Sequence, residues 1–176
     1  MNTYICLLHS ECLDKNGKEI TTAITNLDLH DLSRLCLTYG VNRLYIVHPI
    51  QDQRAFAQRL VDHWVLGAGG EYNPLRKRAL ELISLVKDMD EVKRETKAYM
   101  IGTTARQRDG SLSFDEVREI SMNRDICLVF GTGWGFAPQG FSCMDAIAGP
   151  IQGGGEFNHL SVRSAASIAI DRVLGR

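Results

Sequence analysis

The chain has 176 residues, 44% of them hydrophobic and 23% charged, and a formal net charge of −1. That length supports one domain with a core that needs neither disulfides nor metal, so a single globular unit over residues 1–176 is expected. The composition excludes a disordered tail and a generally basic nucleic-acid binder, and a polyanion would have to be met by a local patch.

Cys6, Cys12, Cys36, Cys127 and Cys143 are odd in number, form no C-x-x-C pair and mostly sit in apolar runs. They read as free thiols in a reducing cytoplasm. The opening MNTYICLLHSECLD lacks a basic n-region and His9 breaks its apolar run, so no secretion signal is read there. No apolar run is long enough to span a bilayer, and a soluble protein with no membrane partner is expected.

Taken in chain order, the run Tyr4 to Leu8 predicts a buried strand, and Leu29, Leu32, Leu35, Cys36 and Tyr39 predict a helix after it. A second strand at Leu44 to Val47 precedes a helical pattern at Phe56, Leu60, Val61, Trp64 and Val65. Leu80, Ile83 and Val86 extend a third helical pattern with Pro74 in its first turn. Ala98 to Gly102 reads as the third strand, and Ser113 with Glu116 as the capping box of a fourth helix. Ile126 to Phe130 is the fourth strand, and SVRSAASIAIDRVLG a fifth helix stopping at Gly175. This alternation predicts an α/β fold, a mostly parallel sheet with helices on both faces. Ligands of such sheets bind beyond the carboxyl ends of the strands.

Three loops after strands are unusually bare: IGTTARQRDG (101–110), GTGWGFAPQG (131–140) and AGPIQGGGEFNHLS (148–161). Glycine permits positive φ and close approach of main chain to a ligand, so a ligand held largely by backbone groups is expected. The glycines at 131, 133 and 135 follow G-x-G-x-G rather than the dinucleotide spacing, and Pro138 and Gly140 argue against an immediate helix. No G-x-x-x-x-G-K-[ST] occurs, which excludes a P-loop.

In this order, GTTAR (102–106), LVFGTGWGF (128–136) and IQGGGEFNHLSVRSAASIAI (151–170) resemble the three cofactor loops of the SPOUT superfamily of S-adenosylmethionine-dependent RNA methyltransferases. TNLDLHDLSRLCLTYGV (25–41) is similar to that superfamily's first motif, with Arg34 at the motif's arginine. The resemblance spans nearly the whole chain. It implies a C-terminal trefoil knot, a homodimer with the active site at the subunit interface, and no added RNA-binding module. It also implies S-adenosylmethionine as cofactor, S-adenosylhomocysteine as product, and tRNA or rRNA as substrate.

By the same resemblance Thr103 and Thr104 form one cofactor wall, Phe130, Gly131, Thr132, Gly133, Trp134 and Gly135 a second, and Ile151, Gln152, Gly153, Leu160, Ser161 and Ser164 a third. Trp134 is equally readable as a core or interface anchor. Arg34 is the expected catalytic residue for a ribose 2′-hydroxyl, orienting the acceptor or its phosphate, since a guanidinium does not readily lose a proton. Its structural alternative is a solvated helix arginine paired with Asp31 or with a partner chain. For a base nitrogen a carboxylate is needed, and Asp28 and Glu156 are the candidates. Asp28, Gly133 and Ser161 stand where ribose-methylating members carry asparagine, glutamate and asparagine, which leaves the acceptor atom open. A knotted binder without transferase activity is the alternative reading.

Arg76 to Arg78, Lys93, Arg94, Lys97, Arg106 and Arg108 make the middle of the chain the best source of an RNA-binding patch, although acidic residues interleave. His159 borders the third loop, while His9, His48 and His63 lack metal-ligand spacing, so no metal is expected.

Overall fold

A computed structural model describes residues 1–176. The elements in chain order are β1 (Thr3–Leu8), β2 (Cys12–Leu13), β3 (Glu19–Ile20), α1 (Asn26–Thr38), β4 (Arg43–Val47), α2 (Gln51–Val65), α3 (Ala68–Tyr72) and α4 (Pro74–Leu80). There follow β5 (Ile83–Val86), α5 (Met89–Thr96), β6 (Tyr99–Thr103), α6 (Phe114–Asn123), β7 (Ile126–Gly131), α7 (Pro138–Ser142), β8 (Ala146–Ala148) and α8 (Val162–Leu174).

Six strands form one sheet in the order β5-β4-β1-β7-β6-β8, every neighbouring pair parallel. Alternation along the strands feeds two cores. Ile5, Leu7, Ile126, Leu128 and Phe130 face one side, with Leu29 and Leu32 of α1, Val117 of α6 and Ala169 and Ile170 of α8. Cys6, Leu8, Cys127 and Val129 face the other, with Met89 and Val92 of α5 and with Phe136. Helices on both faces follow from strands that are apolar at consecutive positions rather than at alternate ones.

The capping box is present, with the Ser113 side chain accepting from the Glu116 N–H and the Glu116 carboxylate accepting from the Ser113 N–H. Pro74 occupies the start of α4, and Gly175 caps α8. Gly175 does so at φ −63° rather than in the left-handed form, and what calls for glycine is space, since a Cβ there would meet the Asp171 carbonyl.

One reading needs correction, and two elements add to those expected. The helical pattern over Leu80, Ile83 and Val86 breaks: Leu80 ends α4, and Ile83–Val86 is strand β5, paired with β4. Four residues fit either period, and the open edge of β4 decides the matter. Strand β8 is only three residues long, too short to show a pattern. The β2-β3 hairpin is the other added element, its turn closed by the Gly17 N–H donating to the Asp14 carbonyl. No helix follows the glycines at once, as expected: β7 ends at Gly131 and only the five-residue α7 begins at Pro138, where the missing N–H has no partner to lose.

The sheet order changes direction at β1, which lies between β4 and β7. The segments leaving β1 and β7 therefore separate, and a crevice opens beyond their carboxyl ends.

Candidate active site

That crevice is a cavity of about 980 Å³. Its walls are the segments after β6 (Thr103, Thr104, Ala105, Arg106), after β7 (Gly131 to Phe136) and after β8 (Gly149, Ile151 and 157–162). The fourth wall comes from the N-terminal part of the chain: His9, Leu13, Thr22, Ala23 and Asp28.

Of the expected cofactor residues, Thr103, Thr104, Phe130, Gly131, Thr132, Gly133, Trp134, Gly135, Ile151, Leu160 and Ser161 border the cavity, whereas Gln152, Gly153 and Ser164 do not. Ser161 is also the N-cap of α8, its hydroxyl accepting from the Ser164 N–H at 3.3 Å. Thr103 is tied inward, donating to the Val129 carbonyl at 3.1 Å.

The bare loops divide into two kinds. Main chain of GTGWGF is partly taken up by the β2-β3 hairpin: Trp134 N–H donates to Leu13 O at 2.8 Å and Leu13 N–H to Gly135 O at 2.9 Å, and just beyond it Ala137 N–H donates to Glu11 O at 2.7 Å. Gly133 lies at φ +59° and Gly135 at φ +98°, conformations that glycine adopts without strain. The bareness of this loop thus serves the hairpin as well as the cavity. Residues 150–160 are the opposite case, since none of them makes a backbone–backbone hydrogen bond. An Asn158 side-chain N–H donates to Ala105 O at 3.2 Å and joins this loop to the one after β6.

Free main-chain donors and acceptors beside apolar Phe130, Ile151 and Leu160 suit a ligand with a flat, hydrogen-bonding base and a polar tail. S-adenosylmethionine has that chemistry, and the cavity volume accommodates it. When bound it supplies an electrophilic methyl group.

Asp28 is buried at the cavity wall, accepting from Thr25 Oγ1 at 2.6 Å and lying 3.9 Å from Arg163 Nε. Arg163 Nη1 is also 3.6 Å from Asp31 Oδ2, so the surface partner of Asp31 is Arg163 and not Arg34. Arg34 is exposed, has no carboxylate partner and does not border the cavity of its own chain. Glu156 is exposed outside the cavity as well. His159 borders it between two aromatics, 5.9 Å from Trp134 and 5.5 Å from Phe157, ring centre to ring centre. Trp134, 55% exposed, is no core anchor.

The basic run is dispersed. Arg76, Lys77 and Arg78 lie on α4, which packs against α1, with Arg76 over the Trp64 ring at 4.8 Å. Lys93 and Arg94 lie on α5, across the sheet. Only Arg106 and Arg108 reach the cavity.

Of the fourth wall, sequence reasoning named Asp28 and missed His9, Leu13, Thr22 and Ala23 as lining. His9 Nδ1 lies 2.9 Å from Thr22 Oγ1, which lies 2.6 Å from Thr132 Oγ1, which donates to the Leu8 carbonyl at 3.2 Å. His48 Nε2 contacts the Thr22 carbonyl at 3.0 Å, and its Nδ1 accepts from the Ile50 N–H at 3.1 Å. Burial, with His48 nearby, holds the His9 imidazole down at about 4. A polar residue directly after an apolar strand was the available signal. No group of three or more His, Cys, Asp or Glu is arranged to hold a metal ion.

The whole chain matches one family description, "SAM-dependent RNA methyltransferase", over residues 2–175. The chain belongs to this family of S-adenosylmethionine-dependent RNA methyltransferases. An uncharacterised protein of Aquifex aeolicus is 39% identical over 183 residues, covering 99% of this chain and 89% of the other. A protein of Nitratidesulfovibrio vulgaris named tRNA (guanine-N(1)-)-methyltransferase is 39% identical over 180 residues. There the match covers 99% of this chain and only 42% of the relative's length. The crystal structure of the A. aeolicus TrmH/SpoU tRNA modifying enzyme superposes with a TM-score of 0.60 at 15% identity, covering 98% of this chain and 74% of that one. The SPOUT-type α/β fold expected of this methyltransferase is therefore present, as is the family's dependence on S-adenosylmethionine. No helix is long and apolar enough to cross a membrane, and all five cysteines are free.

Proposed function

We propose that the chain is a cytoplasmic tRNA-methylating domain whose cofactor lies in the cavity beyond β6, β7 and β8. The observation that carries this is the convergence there of three loops, one of which, 150–160, keeps all its main-chain groups off the rest of the backbone. The names of the Nitratidesulfovibrio relative and of the A. aeolicus structure favour tRNA over rRNA. Arg106 and Arg108 supply positive charge at the rim for phosphate.

Arg34 acts on the acceptor nucleotide in a homodimer, where a second copy of the chain brings its Arg34 to the cavity of the first. Its exposure and lack of a carboxylate partner favour that arrangement. Asp28, already at the wall, orients the acceptor, and Glu156 approaches only if the 150–160 loop folds inward. The segment from β8 to α8 forms the threaded part of a trefoil knot, in keeping with a parallel edge strand followed by a return to α1 and α6.

The test is transfer of a labelled methyl group from S-adenosylmethionine into tRNA, and separately rRNA, from cells lacking the chain. Nucleoside digestion then identifies a ribose or base product. Saturable binding of S-adenosylhomocysteine with no transfer into either RNA would favour the knotted binder instead, a reading that the distance of Arg34 and Glu156 from the cavity supports.

A further inference from the structure

The aromatic rings that border the cavity differ in depth. Phe130 and Phe136 are buried, whereas Trp134 is 55% and Phe157 80% exposed. A single exposed ring needs no explanation, but here two large ones meet around one imidazole. His159 lies 5.9 Å from Trp134 and 5.5 Å from Phe157, at interplanar angles of 55° and 63°. No ring of the three is therefore stacked face to face on another, and their flat surfaces are not used up among themselves. The chain holds the indole in place: Gly135 N–H donates to Thr132 O at 3.1 Å, so Gly133 and Trp134 form the apex of a turn, and Trp134 N–H is fixed on Leu13 O. A ring on a backbone already pinned loses little further freedom when something docks on it. Phe157 and His159 flank Asn158, whose amide joins their loop to Ala105, the neighbour of Arg106. Arg106 and Arg108 border the same cavity and neither is in an ion pair, while the nearby acids Asp109 and Glu156 do not border it.

We propose that Trp134 and Phe157, with His159 between them, form a stacking platform for an unpaired base of the RNA, and that Arg106 and Arg108 hold the phosphates beside that base. The choice of RNA rests on the methyltransferase reading above, and the platform narrows the substrate to a loop, a bulge or a single-stranded end. In a duplex both faces of each base are already covered by its neighbours, so aromatic faces at a rim find nothing to take. A single strand asks for what this rim combines, flat apolar rings for bases and unpaired guanidinium groups for phosphates. The cofactor's adenine, the other flat base at this site, has the less exposed part of the cavity beside Phe130 and Ile151. Trp134, expected in the cofactor wall, is thereby given to the RNA, and stacking of this kind accepts any base, since every base has a face.

Tryptophan emission of the full chain reads this directly in Trp64→Phe, which leaves Trp134 as the only tryptophan. Fluorine NMR of fluorotryptophan-labelled wild type gives the same reading if that variant does not fold. A short single-stranded RNA of mixed sequence should quench Trp134, the same strand annealed into a duplex should not, and S-adenosylhomocysteine alone should leave the emission unchanged. Quenching by S-adenosylhomocysteine alone would put the indole on the cofactor's adenine and overturn the proposal. Trp134→Ala and Phe157→Ala should each lower kcat/KM for tRNA by about 5- to 150-fold, mostly through KM, with product binding in calorimetry kept within about twofold and Trp134→Phe recovering most of the loss. Neither should alter the salt dependence of RNA affinity, whereas Arg106→Ala should flatten its slope by about one. Methyl transfer by a wild type whose Trp134 no single-stranded RNA quenches overturns the platform and leaves the methyltransferase reading intact. Absence of both quenching and transfer overturns both, and quenching without transfer into either RNA keeps the platform and removes the transferase. A changed oligomeric state in Trp134→Ala, with wild-type emission insensitive to RNA, would mean that a second copy of this chain covers the rings, and it too overturns the proposal.

Discussion

The Leu13 carbonyl oxygen stands 2.7 Å from where a Cβ on Gly133 would lie. At φ +59° the residue is also in a conformation that favours glycine. The hairpin therefore occupies the space into which any side chain at 133 would project, which explains why no glutamate stands at this position. Gly133→Ala is expected to cost roughly 1–3 kcal/mol from backbone strain alone, before the clash is counted. Thermal unfolding should show it as a fall of about 2–4 °C per kcal/mol. Gly133→Glu should be worse, so lost cofactor binding in that variant would report a displaced hairpin rather than a lost contact.

Stability should fall with acidity through the histidine pair. His9 is lowered from 6.5 to about 4 and His48 is lowered too, in both cases mainly by burial. Below about pH 6.5 the unfolded chain takes up protons that the folded chain refuses. The stabilising contribution is thus complete above that value and is lost as pH falls toward the folded-state value. For His9 the loss is roughly 3 kcal/mol by pH 4. Urea unfolding at neutral and acid pH should show a shallower acid loss in His9→Gln than in wild type.

Arg34→Ala should leave the melting temperature within about 1 °C, because an exposed side chain without a carboxylate partner contributes little. Product binding should persist and methyl transfer should collapse. Loss of product binding instead would place Arg34 beside the cofactor.

Ser113→Ala removes the acceptor for the Glu116 N–H at the start of α6. Caps of this type are worth about 0.5–2 kcal/mol, read as a shift in denaturation midpoint with unchanged slope. Cofactor binding should be unaffected, since Ser113 lies outside the cavity lining.

Much of this architecture is legible in the sequence because strong local signals coincide with packing. The runs at Tyr4 to Leu8 and Ile126 to Phe130 are apolar at every position, as strands covered on both faces must be, and Ser113 with Glu116 marks a helix start unaided. Ile83–Val86 is misread because four residues fit two periods and only the edge of β4 chooses between them. The fourth wall of the site is hidden for another reason. His9, Thr22 and Thr132 are distant in sequence and meet only through parallel pairing of β1 with β7 and the fold-back of the hairpin. Arg163 lies within a stretch that looks like a cofactor loop, yet its partners Asp28 and Asp31 are on α1.

The absence of backbone–backbone hydrogen bonds over 150–160 has an evolutionary consequence. A ligand read by peptide groups is indifferent to which side chains the loop carries, so most substitutions there should be silent. Proline is the exception, because it deletes an N–H, and a proline scan of the loop would mark which amides face the ligand. Drift in this segment can change what approaches the rim, Phe157 and His159 included, while the proposed cofactor site beneath stays the same.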